Sequence, residues 1–127
     1  MRYENERNEI TKERAEVLKA AASTAASLPS ELRAVLKIFN YDLELRAKAL
    51  AHVDIERQRV DWPNIWANDF GGGHAAAILW AQAIWCDRVA TKGDPFDRAF
   101  AMDPRLQRTV IEALAIRWGL LSLCIAQ

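Results

Sequence analysis

The most apolar stretch of the chain lies near its centre and follows three consecutive glycines. From Ala75 to Cys86 only Gln82 is polar, so this segment has no hydrophilic side at helical spacing. A surface helix carries one apolar stripe, whereas a helix that is apolar all round is buried in a core or a membrane. The run of twelve residues is too short to span a bilayer. We therefore expect a helix over residues 74–90 at the centre of a helical domain, ended by Gly93.

Upstream of that segment, apolar residues recur every three or four positions, which predicts amphipathic helices. A first helix is expected over residues 5–27, and Pro29 with its flanking serines is a stop-and-restart signal. From residue 31 to residue 59 the apolar residues keep the same helical spacing on both sides of Asn40, and no Gly or Pro intervenes. One helix of about 28 residues and two helices broken at Asn40 both fit this pattern, because Asn is also a good capping residue.

Aspartate followed closely by proline marks the start of each remaining helix, since Asp caps a helix and Pro suits its first turn. These signals predict a short helix over residues 61–68 and two further helices over 95–101 and 104–124. No stretch alternates apolar and polar side chains as a half-buried strand does. The expected fold class is all-α, with residues 1–127 forming a single compact domain, a bundle of five to seven helices around the central apolar helix.

Charge and cysteine usage narrow the class of partner and compartment. Seventeen basic residues balance seventeen acidic ones, so the net charge of zero gives no global attraction to nucleic acid or anionic membranes. The basic set holds twelve Arg and five Lys, and Arg is the better side chain for phosphate and interface ion pairs. Cys86 and Cys124 lie in apolar runs, where free buried thiols are normal in reducing compartments. Without a signal peptide or membrane span, we expect a soluble, cytoplasmic protein with no membrane partner.

Tryptophan is concentrated in the middle of the chain. Four of the five tryptophans fall within 24 residues, at positions 62, 66, 80 and 85. Such a cluster marks either the core or a partner-binding face, because Trp is enriched at interface hot spots. Trp62 and Trp66 are the candidate partner-interface residues.

The chain carries no motif that predicts catalysis, a metal or a cofactor. His52 and Glu56 stand four residues apart on a predicted helix, but a metal site needs three or four ligands. His74 follows the glycines at a helix start, where free amides can bind an anion, although the Lys and Ser/Thr of a phosphate loop are missing. The glycines are better explained by a sharp turn and close packing against Trp66 or Phe70. We expect a protein that is not an enzyme, with a His74-dependent activity as a minor alternative.

Two pairs of arginines are candidates for contact with nucleic acid. Arg57 and Arg59 are expected at the end of the long helix, where cations complement the dipole. Arg105 and Arg108 share a face near the start of the last helix, where the dipole disfavours them. Their placement indicates a use other than helix stability, such as a phosphate or a partner carboxylate, although Arg108 can also pair with Glu112.

Two segments resemble the helical small subunit of Cmr-type (type III) CRISPR effector complexes. The first is the glycine turn into a small-residue apolar helix, residues 68–79. The second is the final helix, through Arg105, Arg108, Thr109, Glu112, Ala113, Leu114 and Trp118. The order of helices is also similar over about residues 40–120. The family's small subunits are often basic, whereas this chain is neutral.

The resemblance implies a non-catalytic subunit that stacks with copies of itself and with other subunits of a ribonucleoprotein. Such a subunit touches the backbone of the target strand or of the guide–target duplex, while base pairing reads the sequence. The four arginines named above would then make the RNA or DNA backbone contacts. The alternative is a helical protein–protein interaction module, such as a homodimer, adaptor or small inhibitor, that never meets nucleic acid.

Overall fold

The structure, a computed structural model, describes residues 28–88 and 92–120, and most of these residues are helical. The helix expected over residues 5–27 and Cys124 lie outside the described residues. Within these two ranges five α-helices follow in chain order: α1 (Ser30–Phe39), α2 (Leu43–Lys48), α3 (Trp62–Trp66), α4 (Gly72–Cys86) and α5 (Pro104–Arg117). Two 3-10 segments, Leu50–His52 and Pro95–Ala101, and a two-stranded antiparallel sheet of β1 (Val53–Asp54) and β2 (Arg59–Val60) complete the order.

Helix α4 is buried as its composition predicts. Its residues from Ala76 to Leu79, together with Ala81 and Ile84, are shielded from solvent. It packs against α1, α5 and the 3-10 helix Pro95–Ala101. The helix ends earlier than expected, because Asp87, not Gly93, adopts the left-handed conformation that closes it (φ 56°).

The long segment after Ser30 is broken at Asn40, so the interpretation as one helix is wrong. The Asn40 side chain donates to the carbonyl of Leu36, and Asp42 then caps α2 by accepting from the backbone N–H of Leu45. The break shifts the buried face. Leu43, which the continuous phase assigns to the core, is 79% exposed, and Leu45 is buried instead. Local capping bonds therefore override the helical period.

A β-hairpin replaces the expected end of that long helix. Val53 pairs with Val60 and Asp54 pairs with Arg59 around a turn in which Gln58 has a positive φ of 54°. The Asp54 carboxylate accepts from the backbone N–H of Arg57, which favours a turn over another helical residue. The all-α prediction is correct for the helices but misses this small sheet.

The aspartate–proline signals are confirmed as helix starts. Asp61, Asp94 and Asp103 each accept a hydrogen bond from a backbone N–H two or three residues downstream. The segment after Asp94 is a 3-10 helix. The last helix, α5, is shorter than the predicted range 104–124, because it ends at Arg117 with Trp118 as its cap and Gly119 at a positive φ of 77°.

Candidate functional site

Trp62 and Trp66, the two candidate interface residues, lie together on the wall of an open groove of about 470 Å³. The wall belongs mostly to α3, while side chains from α4 and from the segment before the 3-10 helix close the other side. This surface is called the tryptophan groove, and its lining residues are Trp62, Pro63, Trp66, Ala67, Gln82 and Lys92.

Helix α3 holds the two indoles at positions i and i+4, which face the same side of a helix. Asp61 caps this helix and Pro63 occupies its first turn. Both features stabilise the helical backbone, although the helix has only five residues. The Trp62 ring meets Phe39 of the core edge-on, with ring centroids 5.9 Å apart. Trp62 is therefore anchored to α1 and is only half-buried.

Trp66 is fixed by a polar contact across the groove. Its indole Nε1 donates to Oε1 of Gln82 at 2.9 Å, and its ring meets Phe70 edge-on at 6.3 Å. Gln82 is the lone polar residue of the apolar run in α4, and the structure gives it this partner. This half-buried hydrogen bond and the edge-on ring contact together fix the orientation of the Trp66 ring.

Two other indole groups lack a polar partner. The N–H groups of Trp62 and Trp80 are buried and meet no acceptor within residues 28–88 and 92–120. An indole N–H can only donate. Of the two, only Trp62 lines the groove.

His74 is held by two carboxylates at the start of α4. Its Nε2 lies 2.8 Å from Oδ2 of Asp42, and its Nδ1 lies 2.8 Å from Oε2 of Glu44. Lys48 donates to Glu44 at 2.7 Å and to the carbonyl of Asp69. The pKa of Glu44 is lowered, first by this hydrogen bond from Lys48 and also by the charge of His74. These contacts join α2 to the turn before α4, so they explain His74 as a structural residue.

The structure places the two arginine pairs on different elements. Arg57 lies in the hairpin turn with 76% of its side chain exposed, and Arg59 belongs to β2. The prediction that this pair ends a long helix is therefore wrong. Arg105 and Arg108 lie in the first turns of α5, and Arg108 Nε is 3.6 Å from Glu112, as its spacing predicts. Arg105 also faces the capping carboxylate of Asp103, whose pKa it helps to lower.

The remaining chemical candidates do not form a site in the part of the chain that the structure describes. His52 ends a 3-10 turn and Glu56 lies in the hairpin turn, so their expected helical pairing is wrong. No group of three or more His, Cys, Asp or Glu side chains among these residues is placed to hold a metal ion. Cys86 is a free thiol and is exposed, contrary to the expectation that it is buried.

Sequence reasoning found Trp62 and Trp66 but missed the other residues of the groove. Gln82 was recognisable as a lone polar group in a buried helix, which needs a hydrogen-bond partner. Lys92 had no signal, because nothing in its local sequence relates it to α3. The carboxylates beside His74 were equally hidden, since Asp42 and Glu44 lie 32 and 30 positions upstream.

Comparison with known proteins gives no relative on which to draw. No protein-family model, no curated protein and no solved structure matches this chain. Among the helices that the structure describes, none has both the length and the apolarity needed to cross a membrane.

Proposed function

We propose that the chain is a non-catalytic helical module that binds a partner protein through the tryptophan groove, acting in the cytoplasm. The observation that carries this proposal is the placement of Trp62 and Trp66 on one open wall, where Phe39 packs behind Trp62 and Gln82 accepts a hydrogen bond from Trp66 across the groove. Rigid, half-exposed tryptophans are the side chains most enriched at binding hot spots, because they supply a large contact area and lose little freedom on binding. The helices behind the groove, taken as one compact bundle, supply the rigid support.

The lining of the groove is compatible with this role. The groove is an open depression of about 470 Å³. Its apolar lining carries two polar side chains, Gln82 and Lys92, which is the usual pattern of a site that binds through apolar contact and orients through a few polar groups.

Selection from a random peptide display library tests the proposal without a known partner. Peptides retained by the wild-type protein should lose affinity at least about tenfold when Trp66 is replaced by Ala, the effect of removing a hot spot. Trp118→Ala is the matched control, because Trp118 is exposed at the end of α5 and does not line the groove. Peptides that bind both variants as tightly as the wild type would contradict the proposal.

Trp66→Ala also removes a half-buried ring, so a second variant keeps the test independent of folding. Ala67 is exposed and lines the groove. Ala67→Gln should fill part of the groove. Its free energy of unfolding should stay within about 0.5 kcal/mol of the wild-type value, as is usual for surface substitutions. Retained affinity in a folded Ala67→Gln variant would place the binding site elsewhere.

A second candidate function is the ribonucleoprotein subunit that the resemblance implies, stacking with its own copies and contacting an RNA or DNA backbone. The supporting observation is the exposure of Arg57 and Arg59 around one hairpin turn, with Arg57 Nε 3.8 Å from the Asp54 carboxylate. Exposed guanidinium groups are suited to phosphate. This candidate ranks second because Arg105 and Arg108 lie on a different element, and because the chain as a whole is neutral.

Salt-dependent binding to single-stranded RNA tests this second candidate. If Arg57 and Arg59 each contact a phosphate, the double variant Arg57→Gln/Arg59→Gln should reduce the slope of log K against log[salt] by about 1.4. Arg88→Gln, an exposed arginine outside both pairs, is the control. Absence of binding at about 50 mM salt, where phosphate contacts are strong, would rule out a direct nucleic-acid role.

A further inference from the structure

The ring of His74 lies between two carboxylates of α2. Its Nε2 is 2.8 Å from Oδ2 of Asp42, and its Nδ1 is 2.8 Å from Oε2 of Glu44. Both distances are typical of a hydrogen bond from a charged nitrogen to a carboxylate. The His74 side chain is only 18% exposed, so water competes little for its ring.

This geometry requires one protonation state of the ring. A neutral imidazole has one N–H donor and one bare nitrogen, whereas the protonated ring donates from both nitrogens. An ionised carboxylate can only accept, so a bare ring nitrogen beside it would leave two acceptors facing each other. Only the protonated ring therefore makes both bonds at once.

The other charges of this cluster come from α2 and from the turn before α4. Lys48 of α2 donates to Glu44 at 2.7 Å and to the backbone carbonyl of Asp69 in the turn. The pKa of Glu44 is lowered, first by this hydrogen bond and also by the charge of His74. Anions and cations therefore alternate from Asp42 to Lys48.

Charged groups on the other neighbouring elements are engaged elsewhere or exposed. Lys37 of α1 lies 3.0 Å from the carboxylate of Glu112, and Asp103 caps α5. In the 3-10 helix packed against α4, Asp97 and Arg98 are exposed. The two carboxylates of α2 are therefore the groups that set the state of the ring.

The same cluster contacts the turn that carries Phe70. Lys48 Nζ lies 5.6 Å from the centroid of the Phe70 ring, and the Asp69 carbonyl beside it accepts from the same ammonium group. The Phe70 ring meets Trp66 edge-on at 6.3 Å. A contiguous series of contacts therefore runs from the ring of His74 to that of Trp66.

We infer that His74 is a pH-dependent clamp, whose protonated ring bridges Asp42 and Glu44 and holds α2 to the start of α4. Loss of the ring proton removes one of the two bonds, because a bare nitrogen then faces a carboxylate. The turn that carries Phe70 loosens with it, and so does the contact of Phe70 with Trp66. This inference does not depend on what the tryptophan groove binds.

The sign of the pH effect follows from the bond that only the protonated ring makes. Its contribution to stability is complete below about pH 6.5, where an ordinary histidine is protonated, and is lost at higher pH. The contribution of Asp103 changes at acid pH and that of Tyr41 above pH 10.0. Measurements between about pH 5.5 and pH 8.5 are therefore free of both.

Urea unfolding over this pH range tests the clamp. The folding equilibrium constant of the wild type should fall by about threefold to tenfold from the lower to the upper pH, as expected for a part-exposed hydrogen bond to a charged group. His74→Gln keeps an amide donor and does not titrate, so this fall should disappear. The chain has two histidines, and His52→Gln is the control that should keep the wild-type pH dependence.

Asp42→Asn distinguishes the clamp from a merely structural histidine. Asn still caps α2, and its amide can donate to a bare ring nitrogen. The neutral ring can then make both bonds, so this variant should remain folded and lose most of the pH dependence. A pH dependence in Asp42→Asn or in His74→Gln equal to that of the wild type would overturn the inference.

Nitrogen-15 spectra of the wild type test the transmission to Trp66. The indole signal of Trp66 should shift together with the ring nitrogens of His74 as the pH is raised, while that of the exposed Trp118 should stay in place. The shift of Trp66 should be absent in His74→Gln. A Trp66 signal that does not follow the His74 ring, or a His74 ring with a single N–H where the wild type is most stable, would overturn the inference.

Discussion

Gln82 shows how one residue can connect the core of this protein to its surface. It interrupts an otherwise apolar helix, and its amide is half-buried, where a polar group without a partner destabilises the fold. Its oxygen accepts from Trp66, so the same residue satisfies its own polarity and fixes one wall of the groove. We expect Gln82→Leu to leave the helix buried but to release the Trp66 ring, because the indole N–H then has no acceptor.

Asp103 makes stability depend on acid pH. Its pKa is lowered, first by the backbone N–H of Leu106 that it caps, and further by the Tyr41 hydroxyl that donates to it at 3.0 Å. A lowered pKa in the folded state means that this contribution is complete above the unfolded value near 3.8 and is lost as pH falls through the folded value.

Asp103→Asn tests this assignment, because Asn still caps a helix but does not titrate in this range. The unfolding midpoint of the variant in urea should depend less steeply on pH than that of the wild type below about pH 4. An identical pH dependence in the two proteins would show that Asp103 does not contribute. Tyr41 makes stability depend on pH in the opposite direction. Its pKa is raised, first by burial, so the stability that its neutral hydroxyl contributes is lost as pH rises above 10.0.

His74 is expected to act in stability. His74→Ala removes the bonds to Asp42 and Glu44, and loss of the part-buried bond to Asp42 alone should lower the free energy of unfolding by about 1 kcal/mol. His52→Ala is the matched control, since His52 ends the 3-10 turn away from this cluster. Equal stabilities of the two variants in urea unfolding would contradict the structural role of His74.

At the scale of elements, the start of α4 depends on a close approach that only glycine permits. A Cβ on Gly73 would lie 2.9 Å from the carbonyl oxygen of Ala101, which belongs to the 3-10 helix packed against α4. A Cβ on Gly72 would make only an ordinary contact of 3.8 Å with Ala101. The glycines were expected to allow close packing, and they do, but the neighbour is Ala101 rather than Trp66 or Phe70.

The pair Gly73→Ala and Gly72→Ala therefore separates packing from helix propensity. Gly73→Ala should destabilise the protein by about 1–3 kcal/mol, because a backbone oxygen must move. Gly72→Ala should be neutral or stabilising by up to about 1 kcal/mol, the helix propensity gained over glycine. Chemical denaturation measures both. A stabilising Gly73→Ala would show that the 3-10 helix does not approach α4 as described.

Capping residues beside a proline predicted where helices begin. The spacing of apolar residues alone did not predict where the long segment after Ser30 breaks. Asp61, Asp94 and Asp103 were recognisable as caps because aspartate, proline and helix start occur within a few residues. The break at Asn40 was only one of two alternatives, since the apolar phase continued across it. The hairpin was missed because its strands have two residues each, too few to show alternation.

At the scale of the whole molecule, distant residues determine the candidate site. The two tryptophans come from one short helix and were predictable as a pair. Gln82 and Lys92 lie 16 and 26 residues beyond Trp66, and only the tertiary fold brings them to one groove, where Gln82 accepts a hydrogen bond from Trp66. The two arginine pairs show the opposite case. They were grouped by their chemistry, but one pair lies in the hairpin and the other in α5.

The indole region of a ¹H–¹⁵N spectrum tests the central claim most directly, because all five tryptophans report from known places. Each indole signal can be assigned by a single Trp→Phe substitution. On addition of a peptide selected by the wild-type protein, the signals of Trp62 and Trp66 should shift, and that of Trp118 should not. Shifts confined to Trp118, or unchanged signals of Trp62 and Trp66 with bound peptide, would contradict the tryptophan groove as the binding site.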